Sequence, residues 1–354
     1  MTNSKNSWPQ WLPIRRDLAS LSPYGAPQIE TPVRLNTNEN PYSLDEAMQK
    51  HLASGISKHL RSALARFIND RSNTDFDCSN IWAANGSNEI LQSIALAFEG
   101  RAIGFEPSYS MHPLICRVVG REWISIKRNS DFTIDVDAAL NAIEDSSPTL
   151  IFLTTPNNPT GTSISLKEIA RIAQAAAQKG ALVIVDEAYA EFSSIPSATT
   201  LIKDHPNILV IRTMSKAFAF AGARVGYLIA RPEVVNAMLL VRLPYHLSAL
   251  TQAAAIAALE LSGELLANVA RIISARDALA EKMTSLGLRV EPSDSNFLLF
   301  SGFRHSPAQL WSTLVDQGIL IRDVGIADHL RVTIGTPAEN EAFLRALQSQ
   351  LEKL

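Results

Sequence analysis

Cysteine is scarce in this chain: only Cys78 and Cys116 occur among 354 residues. Their separation suits neither a thiolate metal site nor a disulfide framework, and a reducing compartment fits. Long apolar runs are missing too. No stretch approaches the roughly 18 apolar residues of a membrane helix, and the first residues carry no apolar signal-peptide core. An excess of one charge is also absent, since 32 Lys+Arg against 35 Asp+Glu leave a net charge of −3. Such a chain offers no basic field to nucleic acid or an anionic membrane surface. The expectation is a cytoplasmic protein acting on small molecules, with no metal, nucleic-acid or membrane partner. What is present, 46% hydrophobic and 19% charged residues, is ordinary globular composition, long enough for one large domain and a smaller one.

Between about residues 80 and 230, short β-rich runs alternate with helical ones. Strands are expected at 101–105, 149–154, 181–185, 208–211 and 225–230, and helices at 88–98 and 166–178. Leu182-Val-Ile-Val185 and Leu150-Ile-Phe-Leu153 are apolar on both faces, as in a parallel sheet covered on both sides by helices. The fold class expected is therefore α/β, with a mostly parallel central sheet in a large domain. After Leu247 some thirty Ala- and Leu-rich residues predict one long helix. Beyond it, strands are expected at 289–290, 297–300, 319–321 and 330–334, with helices at 307–316 and from 337. These form a smaller α+β domain. The division expected is an N-terminal segment 1–45 on the small domain or a dimer partner, a large domain 46–245, and a linking helix and small domain 246–354.

The stretch Thr213-Met-Ser-Lys-Ala-Phe-Ala-Phe-Ala-Gly-Ala-Arg-Val-Gly226 sets Lys216 just after an apolar strand, with Ser215 before it and Arg224 eight residues on. An amine there, close to anion-binding groups, suits a covalent link to a phosphorylated aldehyde. Other motifs supply what pyridoxal phosphate would need. Asp186 closes a buried strand at the sheet edge where α/β folds bind ligands; a carboxylate there calls for a cation, such as a protonated pyridine nitrogen. Tyr189 is placed to reach the ring hydroxyl, as is an Asn side chain of the turn Pro156-Asn-Asn-Pro-Thr-Gly161. Asn85-Gly-Ser-Asn-Glu89 opens a helix whose free N–H groups at Gly86, Ser87 and Asn88 favour a phosphate dianion. Ser215 and Arg224 would complete that cup, and Tyr109 could stack on the ring. Taken singly, each has a plainer reading: a capped helix, a packed aromatic, a bare turn.

Asn157-Asn-Pro-Thr-Gly161, Asp186-Glu-Ala-Tyr189 and the segment from Ser215-Lys216 to Arg224 resemble the fold-type I aminotransferases. Leu21-Ser-Pro-Tyr24, Leu35-Asn-Thr-Asn-Glu-Asn-Pro-Tyr42, Gly318-Ile-Leu-Ile-Arg322-Asp and Leu330-Arg331-Val-Thr-Ile-Gly335 are similar to the histidinol-phosphate aminotransferase branch. The resemblance implies a pyridoxal-phosphate-dependent homodimer with Lys216 as Schiff-base lysine and proton carrier. It pairs Asp186 with the pyridinium, puts Asn158 and Tyr189 on the ring oxygen, and stacks Tyr109 on the ring. Ser87, Ser215 and Arg224 hold the cofactor phosphate. Arg331 would bind the substrate carboxylate, a bidentate task lysine cannot copy, while Tyr24 and Arg322 would grip the substrate's phosphate. One departure stands out. The family carries Arg-Tyr-Pro-Asp before a helix like that at 60–67, its tyrosine crossing to the partner's cofactor. Here the segment reads Gly55-Ile-Ser-Lys-His-Leu60, with Lys58 and His59 in its place. An aromatic amino acid aminotransferase, a threonine-phosphate decarboxylase and a cofactor-binding protein without turnover are the other readings of these motifs.

Overall fold

The computed structural model describes residues 8–21 and 58–351. Its strands in chain order are β1 (Ile81–Asn85), β2 (Ala102–Glu106), β3 (Trp123–Lys127), β4 (Leu150–Thr154), β5 (Leu182–Asp186), β6 (Ile208–Thr213), β7 (Val225–Ile229), β8 (Arg289–Val290), β9 (Phe297–Ser301) and β10 (Leu330–Thr333). The first seven form one sheet in the order β1-β7-β6-β5-β4-β2-β3. Neighbours from β6 through β3 pair in parallel, and β7 runs antiparallel to both β6 and β1. The mostly parallel sheet expected from the sequence is therefore present. Its expected strands are displaced by at most two residues.

Alternation explains why the central strands are apolar throughout. Val183 and Val185 face one core layer with Ile151 and Leu153, whereas Leu182 and Ile184 face the opposite layer with Leu150 and Phe152. Each such side chain contributes about 1.5–3 kcal/mol when fully buried. Helices Leu166–Gln178 and Ser87–Ala97 cover opposite faces. Residues 8–21 also join the second face: Leu12 is buried there, Trp8 and Trp11 pack beside it, and Arg15 donates its N–H to the Ala97 carbonyl. That stretch, expected on the small domain or a partner, packs on the large sheet.

The small antiparallel sheet, β10-β9-β8, has its own core around Leu298, Phe300, Leu330 and Val332. The single long helix expected after Leu247 is two helices, Ala249–Glu260 and Ser262–Ser285, bent by 71°. Leu261 is followed by Ser262 and Gly263, a pair that tolerates a kink. The second helix then reaches from Val269 in the large core to Leu279 and Met283 in the small one. Among the described residues no single helix is long and apolar enough to cross a membrane. The strand expected at 319–321 is also absent. Ile319 bonds back to the Leu314 carbonyl and Trp311 Nε1 takes the Ile321 carbonyl at 3.0 Å. What remains of it is one bridge between Arg322 and Arg331.

Candidate active site

The carboxyl ends of β1, β2, β4, β5 and β6 lie along one edge of the large sheet, and the loops leaving them carry the motifs. Thr154 at the end of β4 is opposite Asp186 at the end of β5. Three residues beyond β6 stands Lys216.

At one end of this edge the helix Ser87–Ala97 starts without a side-chain cap. Gly86 holds φ +79° and donates its own N–H to the Ala84 carbonyl. The first helical turn therefore presents the amides of Ser87 and Asn88, which have no intrahelical acceptor. A Cβ on Gly86 would collide with the Arg224 guanidinium, and one on Gly226 would collide with the backbone of Gly86 and Ser87. The two glycines bring the helix start against the β7 backbone and under the arginine. Arg224 reaches Ser215 Oγ at 3.4 Å, and Thr213 donates to the same Oγ at 3.0 Å. Helix start, serine and guanidinium form an anion cradle.

Asp186 is 3% exposed. Ala188 N–H donates to Oδ1 at 3.1 Å, and Oδ2 lies 3.1 Å from His112 Nε2. His112, on the helix Met111–Val118, is wedged between the Tyr109 edge at 5.4 Å and Phe152 at 5.1 Å. Sequence reasoning missed it: His112 lies one residue inside the helix that follows the Tyr109 loop. Tyr109 in turn donates to Asn88 Oδ1 at 3.2 Å. Burial, opposed by that hydrogen bond, raises its phenol.

Of the two asparagines in the turn after β4, Asn157 ties the turn to the neighbouring loop and Asn158 meets Arg331. Asn157 is fully buried. It donates to the Pro107 carbonyl at 3.0 Å and Thr160 Oγ1 at 2.8 Å, and accepts from Ser108 at 2.8 Å, which locks the turn to the loop bearing Tyr109. Asn158 accepts a hydrogen bond from Arg331.

Lys216 Nζ lies 5.7 Å from the Tyr189 ring centre. Burial by the surrounding protein, followed by the charges of Arg331 and Arg224, lowers its pKa. Burial also pushes Tyr189 up to about 12, against the pull of Arg331. Arg331 is half-buried, and burial, with the like charge of Arg322 assisting, lowers its pKa. Among the described residues no carboxylate forms an ion pair with Arg331 or Arg322. Arg322 is exposed and is held to Arg331 by paired backbone hydrogen bonds of 3.0 and 2.9 Å.

The structure thus brings Gly86, Ser87, Asn88, Tyr109, Asn158, Asp186, Tyr189, Ser215, Lys216 and Arg224 to one edge of the large sheet; Arg331 joins them from the small sheet through Asn158, with Arg322 paired to its backbone. Tyr24 lies outside the described residues. So does the departing segment up to residue 57, while Lys58 and His59 begin the exposed end of the helix Lys58–Ser72. A buried carboxylate, a lysine of lowered pKa and an anion cradle fit pyridoxal phosphate, whose nitrogen, aldehyde and phosphate are the matching groups. The cradle that a Cβ at Gly86 would fill is the observation that tests this fit.

Residues 31–347 match the family Aminotransferase class I and II, and the chain belongs to that family. A curated relative from Nocardia farcinica (strain IFM 10152), named histidinol-phosphate aminotransferase, is 51% identical over 352 residues, covering 94% of this chain and 90% of the relative. The solved histidinol-phosphate aminotransferase from Clostridium acetobutylicum superposes with a TM-score of 0.77 at 25% identity, covering 86% of this chain and 92% of that one. That from Sinorhizobium meliloti, in complex with pyridoxal-5'-phosphate, gives 0.76 at 26% identity, over 87% and 85%.

Proposed function

We propose that this chain is a pyridoxal-phosphate-dependent aminotransferase that moves the amino group between glutamate and imidazole-acetol phosphate, forming histidinol phosphate and 2-oxoglutarate. The observation that carries the substrate class is the pair Arg331 and Arg322. They are two cations without carboxylate partners among the described residues, joined by backbone hydrogen bonds at the rim of the site. A substrate with an anionic end group suits them. The near-half identity with the Nocardia relative supports the same choice.

When bound, pyridoxal phosphate supplies an aldehyde for the amine and a ring that draws electrons from the substrate α-carbon. The chain's residues do the rest. Asp186, oriented by His112 and by the Ala188 N–H, would pair with the protonated ring nitrogen. Asn158 and Tyr189 would donate to the ring oxygen, and Tyr109 would cover the ring face. Ser87, Asn88, Ser215 and Arg224 hold the phosphate. Lys216 Nζ, neutral at a lower pH than a free lysine, would be the amine that holds the cofactor's aldehyde carbon and the base that moves the substrate α-proton. Arg331 takes a substrate carboxylate in a bidentate grip. Arg322 and Tyr24 hold the phosphate of histidinol phosphate. We place this activity in a homodimer, as the family resemblance implies, and in the cytoplasm, where a biosynthetic enzyme of this class meets its substrates.

The test is a panel of histidinol phosphate, phenylalanine and threonine phosphate, each offered with 2-oxoglutarate with and without added pyridoxal phosphate. Glutamate formation fastest with histidinol phosphate is expected. Fast turnover of phenylalanine with none of histidinol phosphate would sink the substrate assignment.

A further inference from the structure

Phe297 opens β9 and is 2% exposed. The face of its ring lies 4.8 Å from Arg331 Cζ. The ring also meets that of Tyr189 at 5.2 Å, with 87° between the planes. Register explains the first contact. Arg331 stands opposite Leu299 in the antiparallel pair of β10 and β9, so Phe297 is its diagonal neighbour on the same face, within reach of an aromatic ring.

Arg331 needs such a neighbour. Its only side-chain hydrogen bond among the described residues goes to Asn158, and its Nε is buried without a partner. An acidic side chain would satisfy the cation but compete with an anionic substrate. An aliphatic one would leave the charge unsupported. An aromatic face stabilises a guanidinium while leaving its N–H donors free.

We infer that Phe297 is a positioning residue for the substrate anion, its ring fixing the Arg331 guanidinium in the orientation that receives a carboxylate. This rests on the proposed reading of Arg331 as the carboxylate-binding residue. Its contact with Tyr189 ties the same ring to the large sheet, so one side chain sets the arginine relative to the cofactor site.

Glutarate, an unreactive dicarboxylate of glutamate length, is the probe. Its dissociation constant is measured by calorimetry on the cofactor-loaded wild type, Phe297→Leu, Arg331→Lys and the double variant, with melting curves for each. Phe297→Leu is expected to weaken glutarate about fivefold to thirtyfold with the cofactor still bound. In the Arg331→Lys background the same change is expected to cost less than about twofold, because the two residues act as one unit. Equal losses in both backgrounds would overturn the proposal and leave the arginine's assignment standing. Unchanged glutarate binding in Arg331→Lys alone would overturn that assignment and the proposal with it. Should Phe297→Leu fail to fold, Phe297→Met, which keeps more apolar bulk, is read by the same criteria.

Discussion

Lys216 stands where burial and two guanidinium groups all disfavour its charged form, so the neutral amine appears at a lower pH than in free lysine. Capture of pyridoxal, which lacks the phosphate, reports this amine without involving the anion cradle. Followed by its visible absorbance, capture is expected to have a midpoint below 10.5, the ordinary lysine value. In Arg224→Gln the midpoint should move up, since a repelling cation is gone; a downward move would contradict the electrostatic account. Lys216→Ala should lose both capture and turnover. Burial acts oppositely on an acid: it pushes the Cys116 thiol up to about 11. At pH 8 only about one such thiol in a thousand is ionised, so iodoacetamide should label Cys78 and spare Cys116 in the native protein, as read by peptide mass spectrometry. At this scale the groups proposed to face the ligand were legible, because Lys216, Asp186 and Arg224 each sit in a motif with a chemical rationale. His112, Asn157 and Phe297 were not. They act on other protein groups, and nothing in their local sequence marks a contact made across 74, 50 or 34 positions.

Elements place those groups, and two contacts between elements hold the edge in shape. Arg212, at the end of β6, donates to Glu187 and Glu191 at 2.8 Å each, all three being buried. Glu187 follows Asp186 directly, so the triad clamps the strand ends bearing the carboxylate and the lysine. Arg212→Met leaves two carboxylates buried without their cation and should cost about 3–5 kcal/mol in a denaturant titration. Little change would show the triad to be solvated. Gly226→Ala sets a methyl against the start of the helix Ser87–Ala97. A loss of about 1–3 kcal/mol, together with weaker pyridoxal phosphate binding, is expected; a stability loss alone would mean that the cradle survives the shift. Buried parallel strands such as β5 were legible because both faces are apolar. The edge strand β3, half-exposed along its length, gave no comparable run. Propensity saw one helix after Leu247 because Ala and Leu favour helix everywhere; the 71° turn at Leu261 falls at the Ser262-Gly263 pair and lets both Leu259 and Val269 enter the large core. Residues 319–321 are apolar enough for a strand, but Trp311 and the preceding helix take their hydrogen bonds.

For the whole molecule, a ligand that binds only the folded state stabilises it by mass action. Pyridoxal phosphate at a hundredfold its dissociation constant should add about 2.7 kcal/mol, measured as a rise in melting temperature. Asp186→Ala should reduce that rise, and no rise in the wild type would argue against the cofactor. Sedimentation of the full chain is expected to give twice the 38.6 kDa mass of one chain; a monomer that turns over substrate would remove the homodimer from the proposed function. The sequence by itself determined the α/β class, the cofactor chemistry and most of the residues proposed to face it. Periodicity is local, and each motif carries its own chemical constraint within a few residues. Only the tertiary structure decided that these motifs share one sheet edge, that His112 braces Asp186, and that Phe297 of the small sheet lies under Arg331 and against Tyr189. Such contacts arise from strand order and register, which bring distant residues within a few ångströms and which no local pattern encodes.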